Sequence, residues 1–395
     1  MTSPGYPQPR VALVLPSVMA SGTERRLSFV YRHLQRRFPG EYMLVVSGDL
    51  YAVLNRGGFG LDRLPGVHVL GRRSPFDRKT GAHAAPWVDA GRLMTLHRYR
   101  KELIRLIREQ GVRLLHPYLE MVPFLALRPI RGVPWIVPMV DHLPKYFDGR
   151  SRDSRLLLRA ISYAERVDCL FRLQSEKLEG LGVERRRLNN PAWNCVNHEA
   201  FHPEPKDLSV SYAARAIDWK NPLLMVDVID FVMSRRPNVR FSVVGQGKLQ
   251  GHLAQLIERK RWKDRVRIGY LEDPSPVVNR SLIHVSLDRY DNSSNQSMLE
   301  GMASGCAIVA SDVGETYRVV TEDVGVLTAL DAEDIGQAIL QLLDDPARAQ
   351  ELGRQGRQRV LENHNVDRYI DYLRLIHDLS AEGRVVDGVR MPPAE

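Results

Sequence analysis

Short apolar runs alternate with amphipathic stretches along the first half of the chain. Residues 10–16 are an apolar run between prolines, which is typical of a strand buried in a parallel sheet. A polar turn, helical spacing over residues 25–38 and a second apolar run over residues 41–47 follow it. This order predicts the start of a doubly wound α/β domain. Further elements are predicted, namely a helix over residues 92–110 and strands over residues 112–116 and 135–140.

The alternation restarts in the second half. Between residues 189 and 208 the periodicity lapses and Pro, Asn and His accumulate, which predicts a linker between two domains. The second half then alternates strands with helices in the same way. The predicted strands are residues 210–214, 239–244, 266–268, 282–287 and 307–310. The predicted helices are residues 222–236, 251–261, 297–304, 332–343, 347–362 and 366–380.

These patterns predict two domains of similar architecture. The N-terminal domain covers residues 1–195, the linker 196–208 and the C-terminal domain 209–363. A helix within residues 364–382 is a candidate to return to the N-terminal domain, and residues 383–395 are expected to be a disordered tail. A basic stretch rich in Gly and Pro, residues 71–87, is expected to be a mobile loop.

Composition limits the class of protein. A chain of 395 residues with 44% hydrophobic and 26% charged residues suits two globular domains. The three cysteines are widely separated, which argues against a disulfide framework or a zinc site and fits a reducing cytoplasm. No secretion signal is recognisable at the start, and no apolar run is long enough to span a membrane. We therefore expect a cytoplasmic protein.

The charge is divided unevenly between the halves. Residues 1–200 carry 32 Lys and Arg against 18 Asp and Glu, whereas residues 201–395 carry 24 against 29. A basic half indicates contact with an anionic surface or substrate, although genomic bias toward Arg explains part of it. The predicted helix over residues 92–110 has Arg98, Lys101, Arg105 and Arg108 away from its apolar side, so it is either a core-facing amphipathic helix or a membrane-surface helix.

Two short motifs in the second half suit a phosphate site. Arg215 and Lys220 follow a predicted strand, where both cations could converge on one diphosphate, although solvated loop charges would give the same pattern. Gly245-Gln246-Gly247 ends another predicted strand, and a tight turn explains it equally well.

The most informative stretch is residues 288–305. A polar loop follows the end of a strand and leads into a short helix near Ser297, so its backbone N–H groups and helix dipole could hold a phosphate. Glu300 lies one turn into that helix, where its carboxylate could accept hydrogen bonds from two ribose hydroxyls. Favourable interaction with the helix dipole is the alternative explanation.

Together these motifs resemble the retaining GT-B glycosyltransferases of the large family 4, over most of the chain. The shared motifs, in chain order, are Ser21-Gly22-Thr23-Glu24-Arg25, Asn194-Cys195-Val196-Asn197 with Phe201-His202-Pro203, Arg215 with Lys220, Val244-Gly245-Gln246-Gly247, Ile268-Gly269, and Asn292 followed by Glu300-Gly301-Met302-Ala303-Ser304-Gly305-Cys306-Ala307-Ile308-Val309-Ala310-Ser311. Three positions depart from the family pattern. Asn292 replaces the first Glu, Ser21 a Gly and Cys195 a Gly. Neighbouring Asp291 could restore a carboxylate near Asn292.

The resemblance implies a GT-B fold, in which two Rossmann-like domains face each other across a cleft, and it implies residue roles. It places a cleft-facing imidazole at His142, for which a structural histidine is the alternative. Gly22, which has no Cβ, would let the N-terminal loop approach the donor phosphates closely. The implied catalytic residues are His142, Arg215, Lys220, Asn292 and Asp291. The implied donor-binding residues are Gly22, Arg215, Lys220, Gly245, Ser294, Asn295, Gln296, Ser297 and Glu300. His116, at the end of the preceding strand, is equally compatible with a structural role.

The resemblance also implies a reaction. A UDP- or GDP-sugar would donate its sugar, with retention, to a glycan, lipid-linked or small-molecule acceptor, and no cofactor or metal ion would be required. From its charge, the basic half is expected to be the acceptor side and to associate with an anionic bilayer, at the inner face of the plasma membrane, or with an anionic polymer. Nucleic-acid binding is not expected, because no basic motif is interleaved with aromatic residues. The alternatives are a sugar-nucleotide epimerase of the same fold, which needs no acceptor, and a catalytically weak acceptor-binding subunit, which the Asn292 departure would suit.

Overall fold

The computed structural model describes residues 10–16, 22–71, 90–118, 129–139, 146–189, 194–292 and 295–381. It divides the chain into two compact units. The first comprises the residues up to Ala192 and those from Asp367 onward, and the second comprises Trp193–Val366. The predicted linker therefore belongs to the second unit, where Val196 and Phe201 are buried in an apolar core.

The first unit is built on parallel strands in the order β3-β2-β1-β4, and a parallel bridge between Leu115 and Trp135 continues this order into β5-β6-β7. Its elements are β1 (Val11–Leu15), α1 (Gly22–Arg37), β2 (Tyr42–Val46), α2 (Gly48–Arg56), β3 (Val67–Val69), α3 (Ala90–Glu109), β4 (Leu114–Pro117), β5 (Ile136–Met139), α4 (Arg152–Ser162), β6 (Arg166–Cys169), α5 (Arg172–Gly180) and β7 (Leu188–Asn189).

The second unit has a six-stranded parallel sheet in the order β10-β9-β8-β11-β12-β13. Its elements are β8 (Asp207–Ala213), α6 (Pro222–Arg235), β9 (Arg240–Val244), α7 (Gln250–Glu258), β10 (Val266–Gly269), α8 (Ser275–Val278), β11 (Ser281–Ser286), α9 (Gln296–Ala303), β12 (Ala307–Ser311), β13 (Gly325–Thr328), α10 (Ala332–Asp344) and α11 (Pro346–Asn363). The last helix, α12 (Val366–Ala381), belongs to the first unit from Asp367 onward.

Both sheets have the order expected of doubly wound domains, so the α/β prediction is confirmed. The strands are apolar runs because helices cover both faces of a parallel sheet. Helix α3 buries Leu96, Leu103 and Ile107 as its spacing predicts. The predicted mobile loop at residues 71–87 lies almost wholly outside the described residues, and the predicted tail at residues 383–395 does so entirely.

A buried chain of hydrogen bonds fastens α12 to the sheet of the first unit. His116 Nδ1, on β4, lies 3.0 Å from His377 Nε2, and His377 Nδ1 lies 3.3 Å from the Tyr42 hydroxyl. Burial lowers the pKa of His116 to about 3, and the Arg26 charge adds to this. Burial also holds the pKa of His377 well below its usual range, and repulsion by His116 when protonated and by Arg374 adds to this. Both imidazoles are therefore neutral near pH 7.

This pair makes the first unit sensitive to acid. As the pH falls below about 6.5, the unfolded chain takes up protons at these positions before the folded chain does, so stability is lost as the pH falls. Each histidine then costs about 1.4 kcal/mol of unfolding free energy per pH unit. We expect His377→Asn to make the loss of stability between pH 7 and pH 5 shallower, measured by urea unfolding with circular dichroism. His202→Asn, at an exposed position, is the matched control and should keep the wild-type slope. An unchanged slope in His377→Asn would contradict the expectation.

Candidate functional site

The candidate site lies at the carboxyl edge of the second sheet. The strand order reverses between β8 and β11, so the loops that follow these two neighbouring strands lie side by side. In doubly wound sheets this switch point is where ligands bind. The loop after β8 carries Arg215 and Lys220, and the loop after β11 carries Asp288, Asp291 and Asn292.

The glycines of the Val-Gly-x-Gly turn allow two loops to pack closely. A Cβ on Gly245 would lie 1.7 Å from the Ala214 carbonyl oxygen, and one on Gly247 would lie 2.3 Å from the Ala216 carbonyl oxygen. The Ala216 N–H donates to the Gln246 carbonyl at 3.1 Å. The turn after β9 therefore supports the backbone on both sides of Arg215, which is a packing role for Gly245. Its predicted contact with a donor stays a prediction.

Lys220 is 8% exposed and is held on two sides. Its ammonium lies 2.6 Å from Asp288 Oδ1 and 4.4 Å from the centre of the Trp219 ring. The Arg215 guanidinium is 5.5 Å from the same ring and is half-buried. The structure thus brings the two predicted cations together around one indole, a favourable arrangement for cations.

Asn221, at the end of the loop after β8, is hydrogen-bonded to the loop after β11. It adopts a left-handed conformation, with φ at 54°, and its Nδ2 donates to the Leu287 carbonyl at 2.9 Å. The Arg289 N–H donates to the Trp219 carbonyl at 2.9 Å, and the Arg289 guanidinium donates to Asn221 Oδ1 at 3.1 Å. Asn tolerates this backbone conformation because its short polar side chain bonds locally.

Asp288 is a site residue that the sequence reasoning did not single out. Its Oδ2 accepts hydrogen bonds from Asn292 Nδ2 at 2.9 Å and from Asn295 Nδ2 at 3.1 Å. The carboxylate that the Asn292 amide binds is therefore Asp288. Asp291 is also buried, and it packs on Gly314, where a Cβ would lie 2.2 Å from the Asp291 Cβ. The only signal for Asp288 was its position directly after a buried strand.

The start of α9 is capped and tied to the sheet. Asn295 Oδ1 accepts from the Met298 N–H at 2.8 Å, which is an N-cap, and the Ser297 hydroxyl donates to the Ala213 carbonyl. Gln296 Oε1 is buried and accepts no hydrogen bond within the described part of the chain. Glu300 is 2% exposed in the body of the helix. Ser294 lies outside the described residues.

A buried histidine on β11 contacts the start of this helix. His284 on β11 lies 2.9 Å from the Ser211 hydroxyl through Nδ1 and 2.9 Å from the Ser297 hydroxyl through Nε2. Burial lowers its pKa to about 4, and the Lys206 charge contributes, so the ring is neutral at pH 7. A Cβ on Gly301 would lie 2.6 Å from this ring, which explains a glycine inside a helix.

Three candidate residues, His142, Gly22 and His116, belong to the first unit. His142 lies outside the described residues, and Gly22 is the first residue of α1. His116 is fully buried against α12, so its contacts are those of a structural histidine. Among the described residues, no group of three or more His, Cys, Asp or Glu is arranged to hold a metal ion. None of the described helices is both long and apolar enough to cross a bilayer.

Comparison with known proteins finds similarity to proteins that transfer sugars. Residues 226–374 match the family model described as glycosyl transferase-like. The chain is 25% identical over 183 residues to a poly(ribitol-phosphate) α-N-acetylglucosaminyltransferase of Staphylococcus aureus, which is 44% of this chain and 37% of that protein. It is 29% identical over 161 residues to a D-inositol 3-phosphate glycosyltransferase of Segniliparus rotundus, 39% of this chain and 36% of that one. The matched segments thus span little more than a third of these relatives.

Solved structures show a likeness of fold over more than nine tenths of the chain. HepE of Anabaena in complex with UDP and glucose superposes with a TM-score of 0.73 at 14% identity, over 93% of this chain and 99% of that one. Sucrose-phosphate synthase of Thermosynechococcus elongatus superposes with a TM-score of 0.70 at 18% identity, over 95% and 100% of the two chains. The chain therefore has the GT-B fold, and residues 226–374 match a glycosyl transferase-like family.

Proposed function

We propose that the chain is a retaining glycosyltransferase that transfers a sugar from a nucleoside-diphosphate sugar to an acceptor hydroxyl. The observation that carries the proposal is the convergence of Arg215, buried Lys220 and the capped start of α9 at the switch point of the second sheet. The glycosyl transferase-like match of residues 226–374 supports it. A UDP-sugar is the proposed donor, since HepE, which has the same fold, was crystallised with UDP-glucose.

Charge develops on the leaving diphosphate as the bond to the sugar breaks. Arg215, Lys220 and the N–H groups at the start of α9 would stabilise this charge, because they are held in place before the reaction. The released phosphate oxygen would take the acceptor proton, which favours attack on the same face of the sugar. Turnover without a divalent cation is part of the proposal. It is tested by activity in EDTA.

A donor screen tests the proposal as a whole. Incubation with UDP-, GDP-, ADP- and TDP-sugars, followed by product analysis, should show sugar transfer with the UDP-sugar. An altered sugar nucleotide without an acceptor product would indicate epimerisation. Failure to bind any of the four nucleotides would indicate an acceptor-binding subunit.

Replacing either cationic side chain, Arg215 or Lys220, should slow turnover strongly. We expect Arg215→Ala and Lys220→Ala each to lower kcat about 10²–10³-fold, because each removes a preorganised charge from the leaving diphosphate. Initial rates with saturating donor measure this. Lys248→Ala is the matched control, since Lys248 pairs with Asp218 at an exposed position nearby and should retain the wild-type rate. Near-normal rates in both folded site variants would refute the assignment.

Three further variants separate the roles of Glu300, Asn292 and Asp291, the polar residues in and before α9. Glu300→Ala should weaken donor binding and turnover, because ribose hydroxyls lose a charged acceptor. Asn292→Ala should mainly slow turnover, since its amide orders the loop by binding Asp288. If Asp291 is the substitute carboxylate, Asp291→Asn should be at least as harmful as Asn292→Ala. Donor affinity from calorimetry and initial rates distinguish these roles. Glu351→Ala, on the exposed face of α11, is the control and should keep the wild-type values. Wild-type values in all three would exclude these roles.

We also propose that the first unit associates with an anionic lipid surface. One face of α3 carries Arg98, Lys101, Arg105 and Arg108, all exposed, beside Met94 at 73% exposure. A row of cations with an apolar residue at its end suits a headgroup region. The basic residues Arg72, Arg73, Arg78 and Lys79 of the preceding stretch lie outside the described residues.

Liposome sedimentation tests this surface. Each basic residue contributes about 1 kcal/mol at an anionic bilayer, so replacing Arg98, Lys101 and Arg108 by Gln should weaken binding about 100-fold. Binding should also fall at high salt. The control is a triple variant in which Gln replaces three exposed arginines elsewhere in the unit, Arg155, Arg159 and Arg185, and it should bind as the wild type does. Equal failure of the wild-type protein to bind neutral and anionic vesicles at low salt would remove the membrane proposal.

A further inference from the structure

The Lys220 ammonium is enclosed by its own protein. Asp288 Oδ1 lies 2.6 Å from it and the Trp219 ring lies on another side, with the lysine and aspartate side chains 10% and 6% exposed. A buried charge pair is costly to desolvate, and removing one partner leaves the other charge uncompensated. The position of the ammonium therefore depends on the Asp288 carboxylate.

The same carboxylate reaches the start of α9. Its second oxygen accepts from Asn292 and from Asn295, and Asn295 caps the helix and also donates to the Ser286 hydroxyl at 3.0 Å. Both oxygens of Asp288 are thus occupied, one toward the loop after β8 and one toward the helix. Two parts of the candidate phosphate site that are distant in sequence share this one group.

The backbone of Asp288 is fixed as well. The Ser311 hydroxyl on β12 donates to the Asp288 carbonyl at 2.7 Å, and the neighbouring Leu287 carbonyl accepts from Asn221. The Tyr212 hydroxyl donates to the Lys220 carbonyl, which secures the other half of the pair. The backbone of Asp288 is thus held from β12 and the backbone of Lys220 from β8, so the two side chains that form the pair start from fixed positions on the sheet.

We propose that Asp288 is a positioning residue of the donor site. Its carboxylate places the Lys220 ammonium and the Asn295-capped start of α9 in one fixed arrangement around the diphosphate. It acts through these residues and does not touch the donor itself. This inference rests on the proposed function, because it assumes that a nucleoside diphosphate binds at the switch point.

A double-mutant cycle with UDP as the probe tests it. Asp288→Asn keeps the shape of the side chain and removes its charge, and Lys220→Met removes the ammonium. We expect each single variant to bind UDP about tenfold more weakly, and the double variant to bind no more weakly than the worse single one, because the two residues act as a unit. Calorimetry on the full chain measures the affinities, and thermal unfolding shows that the variants are folded at the working temperature.

Asp218→Asn is the matched control. Asp218 is an exposed carboxylate in the same loop, paired with Lys248, and its removal should leave the UDP affinity unchanged. An effect of Asp218→Asn equal to that of Asp288→Asn would show that only the net charge of the region matters, and would overturn the proposal.

The other outcomes are equally decisive. If the double variant bound UDP about 100-fold more weakly, the product of the two single losses, Asp288 and Lys220 would act independently. Tighter UDP binding by Asp288→Asn would make Asp288 a competitor of the phosphates for Lys220. A lower melting temperature with unchanged UDP affinity would leave Asp288 only a structural role. Each of these overturns the proposal while UDP binding by the wild type remains, whereas a wild type that binds no UDP removes the proposed function itself.

Discussion

The second unit depends on one constraint, which is that all six strands of its sheet run in the same direction. Their carboxyl ends therefore meet at one edge, and the reversal of strand order brings the loops after β8 and β11 into contact there. The charged pair Lys220–Asp288, the left-handed Asn221 and the cap of α9 all lie at this junction. The positions of the polar groups in the site are therefore set by where β8 and β11 end.

That junction buries several polar side chains, and three of them use both of their polar ends. His284 is kept neutral between two serine hydroxyls, Asn295 uses both ends of its amide, and Asp288 uses both oxygens. Buried groups of this kind are costly when one partner is lost and rigid when all are present. A rigid arrangement is what electrostatic stabilisation of a developing charge requires.

The sequence predicted the architecture and part of the site for physical reasons. Apolar strands and amphipathic helices repeat with periods that show in the chain, so most elements of the second unit were predicted within a few residues. Arg215 and Lys220 were singled out because both cations follow a predicted strand, at the edge where doubly wound sheets bind ligands. No element was predicted within residues 146–189, which form α4, β6, α5 and β7.

The missed residues owe their roles to tertiary contacts. Asp288 was one polar residue among many in its loop, and only the fold shows that its carboxylate meets Lys220 and Asn295, whereas Asp291 packs on Gly314. His284 lies in a predicted strand, and only the fold shows that its ring packs against Gly301. Periodicity reports which face of an element is buried, but it carries no information on which distant residue will lie opposite.

The return of α12 to the first unit has a consequence for the order of folding during synthesis. Domains made on the ribosome generally fold in turn from the N-terminus. Here the second unit is an insertion within the first, because the chain leaves the first unit near residue 192 and re-enters it at Asp367. His377 and Tyr372, which bond to His116 and Asp168 in the core of the first unit, are translated only after the whole second unit. The second unit can therefore be complete on the ribosome while the first still lacks the helix that closes its core.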